Sequence, residues 1–255
     1  MFKKEKIITS QILAVLIAIS TFIASISGII FSDIYKSIVS SRAMPFVFSQ
    51  DLISVAVSGM LLILIIFGKK KNIKLDIFQI GIIGYLFYAY GQYVIGTMYN
   101  FFYFLYLSIF GFSIFYLIIT FTSIEYKSLE FKIPKSLRII TAKYCALIPV
   151  IFTPQWIISI YKFVQINSRP GMEDVFSYSY SVYILDLCFI LPVCVITSVL
   201  LFKKKILGLL LGGILQIKGF TLLSFVALGN FFRPLFHLNK DIVNTLHIPW
   251  YLLYA

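Results

Sequence analysis

The sequence predicts an all-α fold, a polytopic transmembrane bundle of about seven spans with its N-terminus inside. Three observations predict it. Of 255 residues, 60% are hydrophobic and only 13% are charged, roughly half the charge of an ordinary soluble domain. Apolar runs near the ~20 residues needed to cross ~30 Å of hydrocarbon recur along the whole chain. Lys and Arg collect between those runs, unequally on the two sides.

The first element follows a basic start, Met1 to Lys6, and runs from about Ile7 to Phe31. It is too long for a signal-peptide core and lacks an Ala-x-Ala-like cleavage site, so it reads as a retained signal anchor. With it, the spans fall at about 7–31, 50–68, 78–97, 101–123, 137–160, 182–202 and 206–230, within one integral membrane domain, 1–255. The stretch 231–255 holds Pro234, Pro249, both histidines and Trp250, and its apolar part is too short to span. It reads either as a tail in the outer interface or as an incomplete eighth span.

Charge sets the orientation. With the N-terminus inside, fourteen Lys and Arg fall in cytoplasmic segments, among them Lys69 to Lys71 and Lys203 to Lys205, against six outside, Lys36, Arg42, Lys162, Arg169, Arg233 and Lys240. That bias is the positive-inside pattern, and it places the chain in the cell membrane as a multi-pass protein. It also explains the net charge of +12 through anionic headgroups, so the partner expected is the lipid bilayer and no nucleic acid. Cys145, Cys188 and Cys194 lie inside apolar runs without Cys-x-x-Cys spacing or a nearby His. Packing accounts for them, and no metal or cofactor is expected.

Four short matches keep their order along the chain. Ile34-Tyr35-Lys36 recurs at Ile160-Tyr161-Lys162, Asp51-Leu52 at Asp186-Leu187, Lys69 to Lys71 at Lys203 to Lys205, and Asn100-Phe101-Phe102 at Asn230-Phe231-Phe232, at offsets from 126 to 135. Four spans separate the copies, which predicts two halves running the same way about an axis along the membrane normal. Charge clusters after spans also arise from topology alone.

Ionisable groups in apolar runs are costly and mark the candidate cavity or substrate residues. Lys218 sits near the middle of span seven, a long reach from either interface, and Asp186 lies about one turn inside the outer end of span six. They read as a substrate or proton site, or equally as a structural ion pair. Asp51 holds the matching place in span two. It reads as a helix-start carboxylate or, if the duplication holds, as a partner facing Asp186 across the axis. Tyr85, Tyr88 and Gln92 share a helical face of span three, as a cavity lining or as interhelical packing. Pro149 and Pro154 kink span five, and Gly208-x-x-x-Gly212 permits close helix contact. His237 and Asp241 fall in the tail, where an enzyme is the weakest reading.

The run Gln50-Asp51-Leu52, a basic loop, a Gly/Tyr-rich span and the short turn at Asn100 resemble an uncharacterised family of bacterial multi-spanning membrane proteins, over spans two to seven. That resemblance implies no activity. The leading functional expectation is a transporter or small-ligand or lipid-binding membrane protein with Asp51, Asp186 and Lys218 along a cavity open to the outside. An accessory membrane subunit bound to a protein partner comes second, and a membrane enzyme acting on lipid third.

Overall fold

A computed structural model describes residues 4–35, 37–40, 43–67, 73–124, 133–167 and 179–236. The fold is all-α. Its helices are α1 (Lys4–Ile30), α2 (Met44–Phe67), α3 (Ile73–Ile95), α4 (Tyr103–Ser123), α5 (Lys135–Asn167), α6 (Ser179–Leu185), α7 (Leu191–Phe202) and α8 (Ile206–Phe232). A π-helical turn, Asp186–Ile190, joins α6 to α7. Counting α6, that turn and α7 as one rod, seven helices among the described residues are long and apolar enough to cross a membrane.

Two boundaries differ from the sequence reading in ways that matter. α2 begins at Met44 rather than near 50, because Pro45 fits a first helical turn, where its lost N–H has no intrahelical acceptor. Asp51 is therefore two turns into the helix and is not a helix-start carboxylate. α8 continues through Phe232 into a 3₁₀ turn, Arg233–Phe236, so 231 and 232 belong to the span. His237, Asp241 and the rest of the tail lie outside the described residues.

Helices inside hydrocarbon gain little by hiding apolar side chains from lipid, so polar and small residues mark the interior faces. α2 shows this. Val47, Gln50, Asp51, Ser54, Ser58 and Leu61 are buried at helical spacing, while Leu52, Met60 and Ile63 face outward. α3 has the lowest mean hydropathy of the seven spans and is the most buried. From Ile80 to Tyr93 every residue except Gly84 is buried, because α4, α8, α2 and α6 all pack against it.

α1, α2 and α4 form one group with α3, and α5 packs chiefly on α7, which packs on α8. The groups meet where α3 contacts α8 and α6, and where α2 contacts α8. Gly81 of α3 faces Ile217 of α8, and Gly213 of α8 faces Ile77 of α3, with Cβ positions that would fall 2.7 Å and 2.9 Å from those side chains. These contacts set α3 and α8 side by side.

The reversal into α8 is tight. Lys205 N–H bonds Leu200 O (2.9 Å) and Lys204 N–H bonds Leu201 O (3.1 Å), with Lys204 at φ 55°, a left-handed cap that usually takes glycine. Arg138 of α5 completes the helix end, its Nη1 donating to Leu201 O (2.8 Å) and Phe202 O (3.3 Å), as a cation at a helix C-terminus should. α8 then starts so close to α7 that a Cβ on Gly208 would lie 2.7 Å from Leu201 N and 2.8 Å from Leu200 C. Backbone cannot yield as a side chain can. Gly208→Val is expected to lower stability by about 1–3 kcal/mol through overpacking, read as a fall in Tm of the purified chain.

Candidate functional site

Apart from Arg138 at the end of α7, the charged residues buried among the described ones, Asp51, Asp186 and Lys218, fall in two clusters, one on each side of α3. The first centres on Asp186. Pro192, the second residue of α7, has no N–H to give back to the preceding turn, and the chain there widens into the π-turn, with Leu191 N–H on Asp186 O. Such turns re-aim side chains and are frequent at functional positions. Asp186 is 7% exposed. Its Oδ2 accepts from Trp156 Nε1 of α5 at 3.1 Å, and the Tyr88 side chain of α3 also interacts with the carboxylate.

Lys218, 6% exposed near the middle of α8, is the cation that interacts with Asp186. Its Nζ lies 3.6 Å from the centre of the Tyr88 ring. A desolvated ammonium on an aromatic face is held by the ring quadrupole as well as by its counter-charge. Tyr183 packs on Trp156 at 4.9 Å between ring centres. Indole and carboxylate thus meet inside the span region, with the carboxylate on the irregular turn, and the ammonium lies over the phenol ring within electrostatic range of that carboxylate. The arrangement offers charge-assisted hydrogen bonding of either sign and an aromatic wall.

The second cluster centres on Asp51, 1% exposed. Tyr35 Oη, from a 3₁₀ turn at Ser32–Tyr35, donates to Asp51 Oδ2 at 2.8 Å, and Tyr93 Oη reaches Oδ1 at 3.5 Å. Burial first, and Asp51 second, push the Tyr35 phenol well above its ordinary range, which keeps it a donor. Tyr35 also meets Tyr106 Oη (3.3 Å), and Asn100 Nδ2 donates to Tyr106 Oη (3.1 Å). Asn100 Oδ1 meanwhile closes the α3–α4 turn by accepting Phe102 N–H (2.9 Å). Gln50 Nε2 donates to Ala89 O (3.0 Å) and ties α2 to α3 beside the cluster.

The three ionisable candidates are thus not brought to one cavity. Asp186 and Lys218 come together, and Asp51 sits in the other cluster with α3 between. Tyr85 and Tyr88, expected on one stripe, part company: Tyr88 turns to α6 and α8, while Tyr85 interacts with Ser54 and Asp51. Long side chains on a helix packed on all sides can diverge from neighbouring positions. Gln92 is buried, 5% exposed.

Sequence reasoning met Tyr35 and Asn100 only in the repeat and the turn and assigned no site role to them or to Trp156, Tyr93 and Tyr106, whose roles appear only when distant segments meet. It also passed over a small polar cavity of about 60 Å³ at the opposite end of α3, lined by Asp76, Gln79, Tyr116, Thr120, Ser10 and Gln11 among others. A water's share of liquid volume is about 30 Å³, so this is room for very few waters. The signal was present, Asp76 being an acid at a span's start. A larger hollow of about 600 Å³ along Pro149, Val150, Pro154 and Ile157 of α5 is open and almost wholly apolar. It lies on an outward face and holds no titratable group.

The fold defines a multi-spanning helical membrane protein, with seven helices among the described residues long and apolar enough to cross a lipid bilayer. No protein-family model matches the chain, and no curated protein or solved structure is similar to it. The likeness to one particular uncharacterised family is left without support.

Two stability predictions follow from the clusters. A Cβ at Gly28 of α1 would overlap Asp51 Oδ2 and come 2.6 Å from Tyr35 Oη, whereas at Gly59 it would meet nothing within 4 Å. Gly28→Ala should cost about 1–3 kcal/mol and Gly59→Ala nothing, compared by thermal unfolding. Asp186→Asn and Lys218→Met should each cost about 3–5 kcal/mol by stranding a buried charge, with the double variant recovering part of the loss. A double-mutant cycle with no coupling would remove the pair.

Proposed function

We propose that this chain is a transporter or small-ligand-binding membrane protein whose ligand site is the Asp186–Lys218 cluster. One observation carries the reading: Lys218, buried halfway along α8, is held over the Tyr88 ring and coupled electrostatically to Asp186, which sits on a π-turn. A structural ion pair needs no irregular turn beside it, and intramembrane charges next to broken helices characterise sites that exchange partners with a polar ligand. The ligand class is a small polar molecule bearing at least one charge, which would compete for Asp186 or Lys218. Trp156 and Tyr88 would position its apolar part.

We also infer a parallel duplication from the way the halves meet. α1 on α2 corresponds to α5 on α7, and α3 on α6 corresponds to α8 on α2, with α3 and α8 side by side between them. In that scheme Asp51 and Asp186 occupy equivalent positions with different surroundings.

An accessory-subunit reading rests on α5, which is the least buried span and leaves Leu147, Val150, Ile157 and Ile158 outward. Native mass spectrometry of the chain gently extracted from its own membrane separates the two. A stoichiometric small molecule or specific lipid on the wild-type chain, lost in Lys218→Met, is the expected result. A stoichiometric protein partner without such a ligand would favour the accessory subunit, and a bare chain would overturn the ligand-site proposal.

A further inference from the structure

The α1–α4 half contains chemistry that the Asp186–Lys218 site does not use. Asp51 is buried, and among the described residues no Lys or Arg side chain acts on it. A carboxylate in such surroundings is costly without a compensating positive charge. Its surroundings are oxygen-rich. Tyr35 and Tyr93 supply the hydrogen bonds given above. Ser54, one turn further along α2, and Tyr85 and Tyr90 of α3 lie close by.

Ser54, Tyr85 and Tyr90 are each at most 1% exposed. Ser54 interacts with both tyrosines, but the three hydroxyls stop short of full hydrogen-bond geometry with one another, and no other described residue partners them. Buried hydroxyls are nearly always partnered, so three such groups around one uncompensated carboxylate share a cause. A proton on Asp51 would remove its charge and leave the hydroxyls as they are. A water would serve the hydroxyls and leave the charge. A cation would do both, because hydroxyl lone pairs and a carboxylate are hard donors that suit hard, non-transition cations. The single negative charge matches a single positive one.

We propose that Asp51, Ser54, Tyr85 and Tyr90 form a binding site for an alkali cation. Access has a polar route. The order of residues along the helices puts Thr21 and Ser113, two further buried hydroxyls without hydrogen-bond partners among the described residues, between this site and the cavity at Asp76. Polar groups thus run through the α1–α4 bundle from one end to the other. The site stands independently of any ligand at Asp186–Lys218.

The test uses the full chain in lipid nanodiscs, with thermal unfolding in sodium, potassium or choline chloride at equal ionic strength, and binding of radioactive sodium or rubidium ions to the same samples. The wild-type Tm is expected to rise saturably with sodium or potassium over choline. Asp51→Asn should abolish that rise and the bound radioactivity, and Tyr85→Phe should weaken half-saturation by about tenfold, the loss of one ligand. Gly59→Ala, whose added Cβ meets nothing within 4 Å, should keep both. Equal Tm in all three salts with no saturable ion binding overturns the proposal, as does saturable binding kept in Asp51→Asn. Should Asp51→Asn fail to fold, unchanged ion affinity in both Ser54→Ala and Tyr85→Phe overturns it equally.

Discussion

Hydrocarbon supplies neither hydrogen-bond donors nor acceptors, so polar groups that a span carries to membrane depth must be met by another helix. α3 carries more of them than any of its neighbours could shield alone. Four tyrosines, Tyr85, Tyr88, Tyr90 and Tyr93, together with Gln92, are buried within two and a half turns of it. The bundle is arranged around that need. α2 brings Gln50 to the Ala89 carbonyl and Asp51 to Tyr93, α4 brings Tyr106 against Tyr90 and Tyr93, and α8 brings Lys218 to Tyr88.

Because α3 is enclosed, its two sides became two environments. Towards α1, α2 and α4 lies a group of tyrosines closed by Tyr35 and by the Asn100 turn, dense in hydroxyls and with a single acid at its centre. Towards α6 and α8 lies an acid that does have a cationic partner, on a turn left irregular by Pro192. Chemically equivalent carboxylates therefore experience opposite conditions: Asp186 is balanced within the described residues by Lys218, while Asp51 is surrounded by neutral oxygen. Close backbone approach makes both possible. Gly28 admits α1 to the Asp51–Tyr35 contact, and Gly208 lets α8 leave α7 without a gap.

The outward surface obeys simpler rules. Ile63, Ile66 and Phe67 on α2, or Ile140, Leu147 and Val150 on α5, are exposed because lipid accepts them as readily as a protein interior does. That indifference explains why α5 can hold its place through a few specific contacts. Arg138 binds the end of α7, and Ser198 Oγ donates to Ala142 O at 2.8 Å.

The sequence by itself determined that the chain is helical and membrane-spanning, where the seven spans of the described residues lie, and that Lys218, Asp186 and Asp51 are costly residues needing an explanation. Length, hydropathy and charge are local properties, and the lipid solvent imposes helices on any apolar run of that length. Tertiary structure alone decided which acid meets which partner. Tyr35 lies sixteen residues before Asp51, Trp156 thirty before Asp186 and Tyr106 seventy-one after Tyr35, and no periodicity links such positions. Apolar residues line both faces of a membrane helix, so hydropathy does not tell the interior side from the lipid side. The choice rests on polar satisfaction and close packing, which exist only once the helices are assembled.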